Sequence, residues 1–90
     1  MKKQITVLGC TGSIGEQALD VIATHTDEMA LFGIAANANV EAMIAQAEKY
    51  LPRVVACETE FDASLLPDGV TAIMGEGAAS QLAAMQEADV

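Results

Sequence analysis

Apolar and polar positions along this chain follow two alternating patterns. Short continuous apolar runs are typical of strands buried on both faces of a sheet, and they predict strands at residues 3–8, 31–36, 53–57 and 70–74. Between these runs, apolar residues recur every three or four positions, which predicts helices at residues 13–24, 40–50 and 78–86. Strands that alternate with helices predict an α/β fold with a parallel sheet and right-handed crossovers.

Polar residues and proline mark the boundaries of these elements. The polar run at residues 25–28 ends the first helix, Asn39 is a good N-cap for the second, and Pro52 stops the second. Residues 59–66 are predicted to form a short helix, and residues 89–90 to begin a further strand. Each predicted element is therefore bounded by residues that disfavour its continuation.

Three glycines spaced three apart, Gly9, Gly12 and Gly15, join the first strand to the first helix. A helix start offers free main-chain N–H groups and the positive end of the helix dipole, so it suits a phosphate or pyrophosphate. In such a turn, Gly9 allows a sharp bend, Gly12 allows close approach of a ligand, and Gly15 allows close packing of the helix on the strand. A strand–helix turn with no ligand remains the alternative, because a glycine spacing by itself is a weak motif.

The order of elements is that of a doubly wound, Rossmann-like dinucleotide-binding fold. Ninety residues supply about one mononucleotide-binding half of it. We therefore expect residues 1–90 to be the N-terminal part of such a domain, with its remainder and further domains outside this sequence. The edge of the last strand is expected to be exposed.

The end of the second strand bears on which dinucleotide is bound. An Asp or Glu there would accept hydrogen bonds from the ribose hydroxyls of NAD and repel the 2′-phosphate of NADP. Residues 34–40 read Ile-Ala-Ala-Asn-Ala-Asn-Val and contain no carboxylate. The amides of Asn37 and Asn39 and the main-chain N–H groups of residues 37–39 could donate to a 2′-phosphate, so the sequence favours NADP. Turn formation and helix capping are the alternative roles of the two asparagines.

Composition and charge argue against nucleic-acid and membrane partners for this chain. Thirteen acidic residues against four basic ones give a formal net charge of −9, which argues against a nucleic-acid-binding surface. No run approaches the roughly 20 apolar residues of a membrane span. Residues 1–4, Met-Lys-Lys-Gln, lead straight into the first strand, without the apolar region or cleavage site of a signal peptide. We therefore expect a cytoplasmic protein with no membrane partner.

Few side chains have the spacing of a catalytic or metal site. Cys10 lies in the glycine turn, either as a reactive thiol or as a small residue that fills the turn, and Cys57 is expected to be a buried thiol. His25 is expected to cap the first helix or lie on the surface. Three acids that follow the third strand are expected to face solvent: Glu58, Glu60 and Asp62.

Several motifs together resemble a known family. Residues 5–15, Ile-Thr-Val-Leu-Gly-Cys-Thr-Gly-Ser-Ile-Gly, followed by Leu-Asp-Val-Ile at 19–22, are similar to the opening of the 1-deoxy-D-xylulose 5-phosphate reductoisomerases. The likeness continues through the Ala-x-x-Asn-Val loop at 36–40, Pro-Arg-Val-Val at 52–55, and the strand–glycine–helix passage around Gly75. It covers essentially the whole chain, in order.

The resemblance implies an NADPH-dependent enzyme of non-mevalonate isoprenoid biosynthesis, and hence that residues 1–90 belong to an NADPH-binding domain. Such enzymes isomerise a phosphosugar, 1-deoxy-D-xylulose 5-phosphate, and reduce the product to 2-C-methyl-D-erythritol 4-phosphate. They use Mg²⁺ or Mn²⁺ as a Lewis acid and are typically homodimers. Metal ligands and substrate-binding residues are expected beyond position 90, so no catalytic or metal-binding residue is assigned within the chain.

The family's cofactor contacts transfer to seven positions. The resemblance places the NADPH phosphates at the turn and the adenosine-ribose end at the loop after the second strand, through Thr11, Gly12, Ser13, Ile14, Asn37, Ala38 and Asn39. Two residues depart from the family pattern. Cys10 replaces a usual Ser, and Ala38 stands where some members carry Lys or Arg, so any contact from residue 38 must come from the main chain.

Other functions stay open from the sequence. An NADP-dependent semialdehyde dehydrogenase has a similar opening strand and turn but needs a catalytic Cys further along. A nucleotide-binding module without catalysis is a second alternative. A P-loop protein is disfavoured, because no Gly-Lys-Ser/Thr follows the turn.

Overall fold

The computed structural model describes residues 3–85. Its strands and helices alternate as β1 (Lys3–Leu8), α1 (Ser13–Thr24), β2 (Met29–Ala36), α2 (Val40–Tyr50), β3 (Val54–Cys57), β4 (Thr71–Met74) and α3 (Ala78–Ala83). A single 3-10 turn, Ala63–Leu65, lies between β3 and β4. Within this part of the chain, no helix is long and apolar enough to cross a membrane.

The four strands predicted within residues 3–74 and the three longer predicted helices are confirmed in type and order. Three of these elements match at both ends and four are shifted at one end. β1, α1 and α2 have the predicted limits, β2 begins two residues earlier, and β3 and β4 each begin one residue later. The prediction that α3 reaches residue 86 is wrong: α3 ends at Ala83, where the N–H of Met85 bonds to the Leu82 carbonyl and tightens the last turn. The strand predicted at residues 89–90 lies outside the described residues.

The short helix predicted at residues 59–66 is also wrong, since only the 3-10 turn forms there. An Asp62 carboxylate oxygen accepts hydrogen bonds from the main-chain N–H of Ser64 at 3.0 Å and from its hydroxyl at 2.7 Å. Such local side-chain bonds compete with an α-helix for the main chain. The same bonds lower the pKa of Asp62 below its usual value.

All four strands are parallel and lie in the order β1-β2-β3-β4. The register of β1 on β2 shifts once, because Ile5 pairs with Leu31 while Thr6 pairs with Gly33. Phe32 is therefore an extra residue in β2, a bulge that the continuous apolar run of this strand could not reveal.

Helices cover both faces of the sheet and divide the core into two clusters. The larger cluster packs α1 and α2 on one face, and its buried members include Val7, Leu19, Ile34, Met43 and Val55. The smaller cluster packs α3 on the other face against Phe32, Ala35, Val54 and Ala56. Aliphatic residues and Met supply most of this core.

Among the described residues, β4 forms one edge of the sheet and β1 the other. An apolar groove of about 670 Å³ runs along β1 and α1. Leu8 and Ile14, which line it, are 51% and 82% exposed. We refer to this feature as the β1 groove.

The main chain of α1 lies in close contact with the main chain of the turn that precedes it. A Cβ atom added at Gly15 would overlap the Gly9 carbonyl oxygen and lie 2.7 Å from the Cys10 Cα. These neighbours are main-chain atoms that cannot rotate away, so only glycine fits at position 15. The sequence-based role of Gly15 in close helix–strand packing is therefore supported by the geometry.

The start of α3 is held by a side chain from the end of β3. The Glu58 carboxylate accepts hydrogen bonds from the main-chain N–H of Gly77 at 2.9 Å and of Ala79 at 2.8 Å. These bonds lower the pKa of Glu58, because they favour the ionised form. Glu58 thus fixes α3, which carries the buried Leu82, to the carboxyl edge of the sheet.

Gly15→Ala tests the close approach of α1. Helix propensity alone predicts that Ala stabilises a helical position by about 0.8–1.0 kcal/mol relative to Gly. We expect the opposite sign, a loss of about 1–3 kcal/mol in the free energy of unfolding, because the added methyl group overpacks the turn. Denaturant unfolding of both proteins measures the difference.

Gly12→Ser is the matched control for that measurement. A Cβ at Gly12 meets only the Gly9 oxygen, at 3.5 Å, and the main chain there is extended at φ −80° and ψ 167°. Serine is also a favoured N-cap, so stability should change by less than about 0.5 kcal/mol. A stabilised Gly15→Ala variant would contradict the proposed contact.

Glu58→Gln tests the carboxylate at α3. Since the folded-state pKa of Glu58 is depressed, its stabilisation is complete above the ordinary Glu value of 4.5 and is lost as pH falls through the folded pKa. The stability difference between wild type and variant should therefore be largest near neutral pH and shrink below pH 4.5. Urea unfolding across this range measures it, with Glu60→Gln, an exposed neighbour, as the control. A difference that does not vary with pH would contradict the assignment.

Candidate functional site

The segments that follow the strands meet at one edge of the sheet. Because all strands are parallel, their carboxyl ends point the same way, and ligands of open α/β sheets bind outside that edge. Gly9 follows β1, Asn37 follows β2, and Glu58 follows β3. The two segments predicted to bind the cofactor therefore follow adjacent strands.

The main chain of residues 9–15, called the glycine turn below, is fixed by hydrogen bonds. Gly9 adopts φ +70°, a conformation that favours glycine, and its carbonyl accepts from the Gly12 N–H at 3.1 Å. The Cys10 N–H donates to the Ala35 carbonyl of β2 at 2.9 Å. The Cys10 carbonyl accepts from the side-chain amide of Gln46 on α2 at 2.7 Å. The turn is thus tied to both β2 and α2.

The start of α1 is open. Gly12 is the N-cap and has no side chain to bond the helix, and the first intrahelical bond runs from the Glu16 N–H to the Gly12 carbonyl at 2.9 Å. The amides of Ser13, Ile14 and Gly15 are those that an α-helix leaves without internal partners. Gly12, Ser13 and Ile14 are exposed. The N–H groups of Ser13 and Ile14, together with the positive end of the helix dipole, are therefore available to an anion.

The loop at residues 37–39 is also exposed. Asn39 is the N-cap of α2, as predicted, and its side-chain oxygen accepts from the Ala42 N–H at 3.3 Å. The Asn37 carbonyl accepts from the Thr59 hydroxyl at 3.1 Å and from the Cys57 thiol at 3.6 Å. These bonds hold the loop main chain from β3, and no carboxylate lies within the loop.

Both cysteine thiols are fully buried. Burial, as the main cause, raises the pKa of Cys10 to about 12, so its thiol is protonated at neutral pH. The reactive-thiol alternative for Cys10 is therefore not supported, and Cys10 fills the turn as a small apolar residue. The prediction of a buried thiol at Cys57 is confirmed.

The remaining polar candidates have structural roles. The imidazole Nδ1 of His25 lies 2.9 Å from the Val21 carbonyl at the end of α1, which confirms the predicted cap. Glu60 and Asp62 are exposed as expected, whereas Glu58 is half-buried against α3, so the prediction that all three acids only face solvent is wrong. Among residues 3–85, no group of His, Cys, Asp or Glu could hold a metal ion.

Gln46 is the contact to the turn that sequence reasoning missed. It lies three residues after Met43 and one before Ala47, both fully buried, so it is a polar residue beside the buried row of α2. This position beside the buried row is the one sign in the sequence that Gln46 makes an internal contact. It does not reveal which group the amide bonds. Only the folded arrangement brings it to the Cys10 carbonyl, 36 residues away.

The chain matches the family model for 1-deoxy-D-xylulose 5-phosphate reductoisomerase over residues 5–90. A curated relative of that name from Phocaeicola vulgatus is 37% identical over 95 residues, covering 100% of this chain and 25% of the relative. One from Bacteroides thetaiotaomicron is 52% identical over 59 residues, covering 66% of this chain and 15% of the relative. One from Halalkalibacterium halodurans is 35% identical over 92 residues, covering 98% and 24%.

Solved structures that are similar to this chain belong to the same family of reductoisomerases. The 1-deoxy-D-xylulose 5-phosphate reductoisomerase from Zymomonas mobilis in complex with NADPH is 30% identical, with a TM-score of 0.67 over 83% of this chain and 21% of that one. A DOX-P reductoisomerase in complex with magnesium has a TM-score of 0.83 over 99% of this chain and 24% of that one, and at 21% identity it supports the fold alone.

These matches identify the α/β arrangement as Rossmann-like and favour the reductoisomerases over the semialdehyde dehydrogenases. The chain spans about a quarter, or less, of the length of the curated relatives it matches. Since the family model covers nearly every residue, the chain belongs to the 1-deoxy-D-xylulose 5-phosphate reductoisomerase family and corresponds to its N-terminal portion.

Proposed function

We propose that this chain binds NADPH as part of a 1-deoxy-D-xylulose 5-phosphate reductoisomerase. The observation that carries the proposal is the open start of α1 at the carboxyl edge of the sheet, in a chain that belongs to this family. The pyrophosphate would bind the glycine turn through Thr11, Gly12, Ser13 and Ile14. The adenosine end would bind the loop formed by Asn37, Ala38 and Asn39.

The glycine turn fits a pyrophosphate in charge and shape. Its donors are main-chain amides, so the site attracts an anion although the chain as a whole carries a net charge of −9. Gly12 adds no side chain between the helix start and a ligand, and its neighbours Ser13 and Ile14 are exposed. The relative from Zymomonas mobilis, whose structure contains NADPH, shares the fold of this segment.

The loop after β2 supports NADPH over NADH. A carboxylate there would repel the 2′-phosphate, and none is present. Asn37 is an exposed residue. Thr59 and Cys57 donate only to its main-chain carbonyl, so these bonds do not occupy its side chain. Its amide can therefore donate to the phosphate. The cap of α2 uses only the side-chain oxygen of Asn39, so its side-chain NH₂ group and its main chain can also donate.

The parent enzyme would convert 1-deoxy-D-xylulose 5-phosphate into 2-C-methyl-D-erythritol 4-phosphate. Bound NADPH supplies the hydride for the reduction step, while residues of this chain hold and orient the cofactor. A divalent metal, Mg²⁺ or Mn²⁺, is proposed to bind the substrate through residues beyond position 90. A DOX-P reductoisomerase of the same fold has been solved with magnesium, which is consistent with this. A cytoplasmic homodimer stays a prediction.

Asn37→Asp tests the choice of cofactor. The substitution keeps the shape of the side chain but replaces a donor by a carboxylate, which repels a 2′-phosphate and accepts from ribose hydroxyls. In the wild type we expect NADPH to bind about tenfold or more tightly than NADH, and the variant should lose most of this ratio. Titration followed by the amide shifts of residues 9–15 and 37–39 gives both dissociation constants.

Gln17→Glu makes the same change of charge on an exposed position of α1 and serves as the control. It should leave the NADPH/NADH ratio unchanged. If NADH shifts the amides of the wild type as strongly as NADPH, the proposed role of the loop is wrong. If neither cofactor shifts residues 9–15, the proposed function fails.

The 90-residue chain by itself is expected to show no turnover. The proposal places cofactor binding in this segment and all metal and substrate contacts elsewhere in the parent enzyme. Incubation of the chain with NADPH, Mg²⁺ and 1-deoxy-D-xylulose 5-phosphate should therefore leave the absorbance of NADPH at its starting level. Substrate-dependent oxidation would show that catalytic groups lie within the chain.

A further inference from the structure

Gln46 is the side chain that ties α2 to the glycine turn. Its Nε2 donates to the Cys10 carbonyl at 2.7 Å, at the short end of hydrogen-bond distances between nitrogen and oxygen. The residue lies on the second helical turn after Asn39, the cap at the start of the same helix. The contact therefore joins the element that begins at the loop of residues 37–39 to the turn before α1.

The direction of the Cys10 carbonyl determines the direction of the next amide. In a trans peptide the C=O and N–H groups of one planar unit point in opposite directions, and the described chain contains no cis peptide. Since the Cys10 carbonyl points to Gln46 on α2, the Thr11 N–H points away from α2. In the described part of the chain, this amide is not paired with any main-chain acceptor.

The other fixed groups of the turn act on the neighbouring peptide units. The Cys10 N–H is bonded to β2 and the Gly9 carbonyl to Gly12, so the peptide before Cys10 is held at both ends. The peptide between Cys10 and Thr11 is held by Gln46. Without that bond, this unit is the one in the turn that is free to rotate and redirect the Thr11 N–H.

The Oε1 atom of the same amide indicates that the bond from Nε2 to the Cys10 carbonyl accounts for the polar residue at position 46. The Oε1 atom is buried, and no group among residues 3–85 donates a hydrogen bond to it. An unpartnered buried acceptor is unfavourable, and an apolar residue of the same size would avoid it. A contact with Cys10 that orients the turn explains why an amide occupies the position.

We propose that Gln46 is a positioning residue for the dinucleotide, which holds the Cys10 carbonyl so that the Thr11 N–H faces the pyrophosphate. This inference rests on the proposed binding of NADPH at the glycine turn. It adds a residue from α2 that does not itself touch the cofactor.

Two variants of the full-length enzyme that contains this chain test the proposal. Gln46→Glu keeps the shape but removes the donor, and Gln46→Leu removes both the donor and the unpartnered oxygen. We expect both to weaken NADPH binding about tenfold, with KM for NADPH raised and kcat changed much less. The NADPH-induced shift of the Thr11 amide, measured by NMR on the selectively labelled protein, should shrink in both. Glu48→Gln, an exposed change on the same helix, is the control.

The outcomes separate the two proposals. Absence of NADPH binding to the wild type overturns the proposed function. Normal binding to the wild type with an unchanged affinity and Thr11 shift in Gln46→Leu overturns the role of Gln46 alone. A loss in Gln46→Glu that Gln46→Leu does not share is charge repulsion, and it also overturns that role. A lower melting temperature with unchanged NADPH affinity shows a merely structural contact and overturns it as well.

Discussion

The contact on which the site depends is that between the main chain of α1 and the main chain of the turn before it. Gly15 lies against Gly9 and Cys10 with no room for a Cβ atom. This approach sets where α1 starts relative to β1, and therefore where its free amides lie. The bond that Cys10 donates to the Ala35 carbonyl and the bond that it accepts from Gln46 hold the turn in the same arrangement. A small loss of space at one residue would move the whole set of donors.

Helices α1 and α3 begin at the same edge of the sheet, but their first amides differ in whether a carboxylate of the protein binds them. The first amides of α3 are occupied by the Glu58 carboxylate, a group that belongs to the protein. No side chain in the described part of the chain bonds the first amides of α1, whose N-cap is Gly12. An internal anion stabilises the fold at α3, while an exposed cap leaves α1 able to accept an anion from outside. The contrast is what the proposed binding of a phosphate at the start of α1 requires.

Much of the fold could be predicted from the sequence because apolar periodicity and capping agree. Asn39 and Pro52 bound α2 as expected, and the strand runs are short enough to be unambiguous. The bulge at Phe32 could not be predicted, because a strand that is apolar throughout shows no alternation to break. A 3-10 turn forms at Ala63–Leu65 instead of the predicted helix, because the bonds that Ser64 donates to the Asp62 carboxylate compete with a helix. At the site, the glycine turn and the loop were visible as motifs. The bonds made by Gln46 and Glu58 were not, since each joins residues that are distant in sequence.

The β1 groove and the glycine turn share part of their surface. Gly9, Gly12, Ser13 and Ile14 line the groove, and the last three are also proposed contacts of the pyrophosphate. A segment packed along β1 would thus form a wall of the nucleotide site, with the largely exposed Ile14 between the two. Occupancy of the groove and affinity for the dinucleotide are then thermodynamically linked, and each changes the other by the same factor. Whatever packs along the β1 edge of the sheet therefore affects the proposed binding of the cofactor.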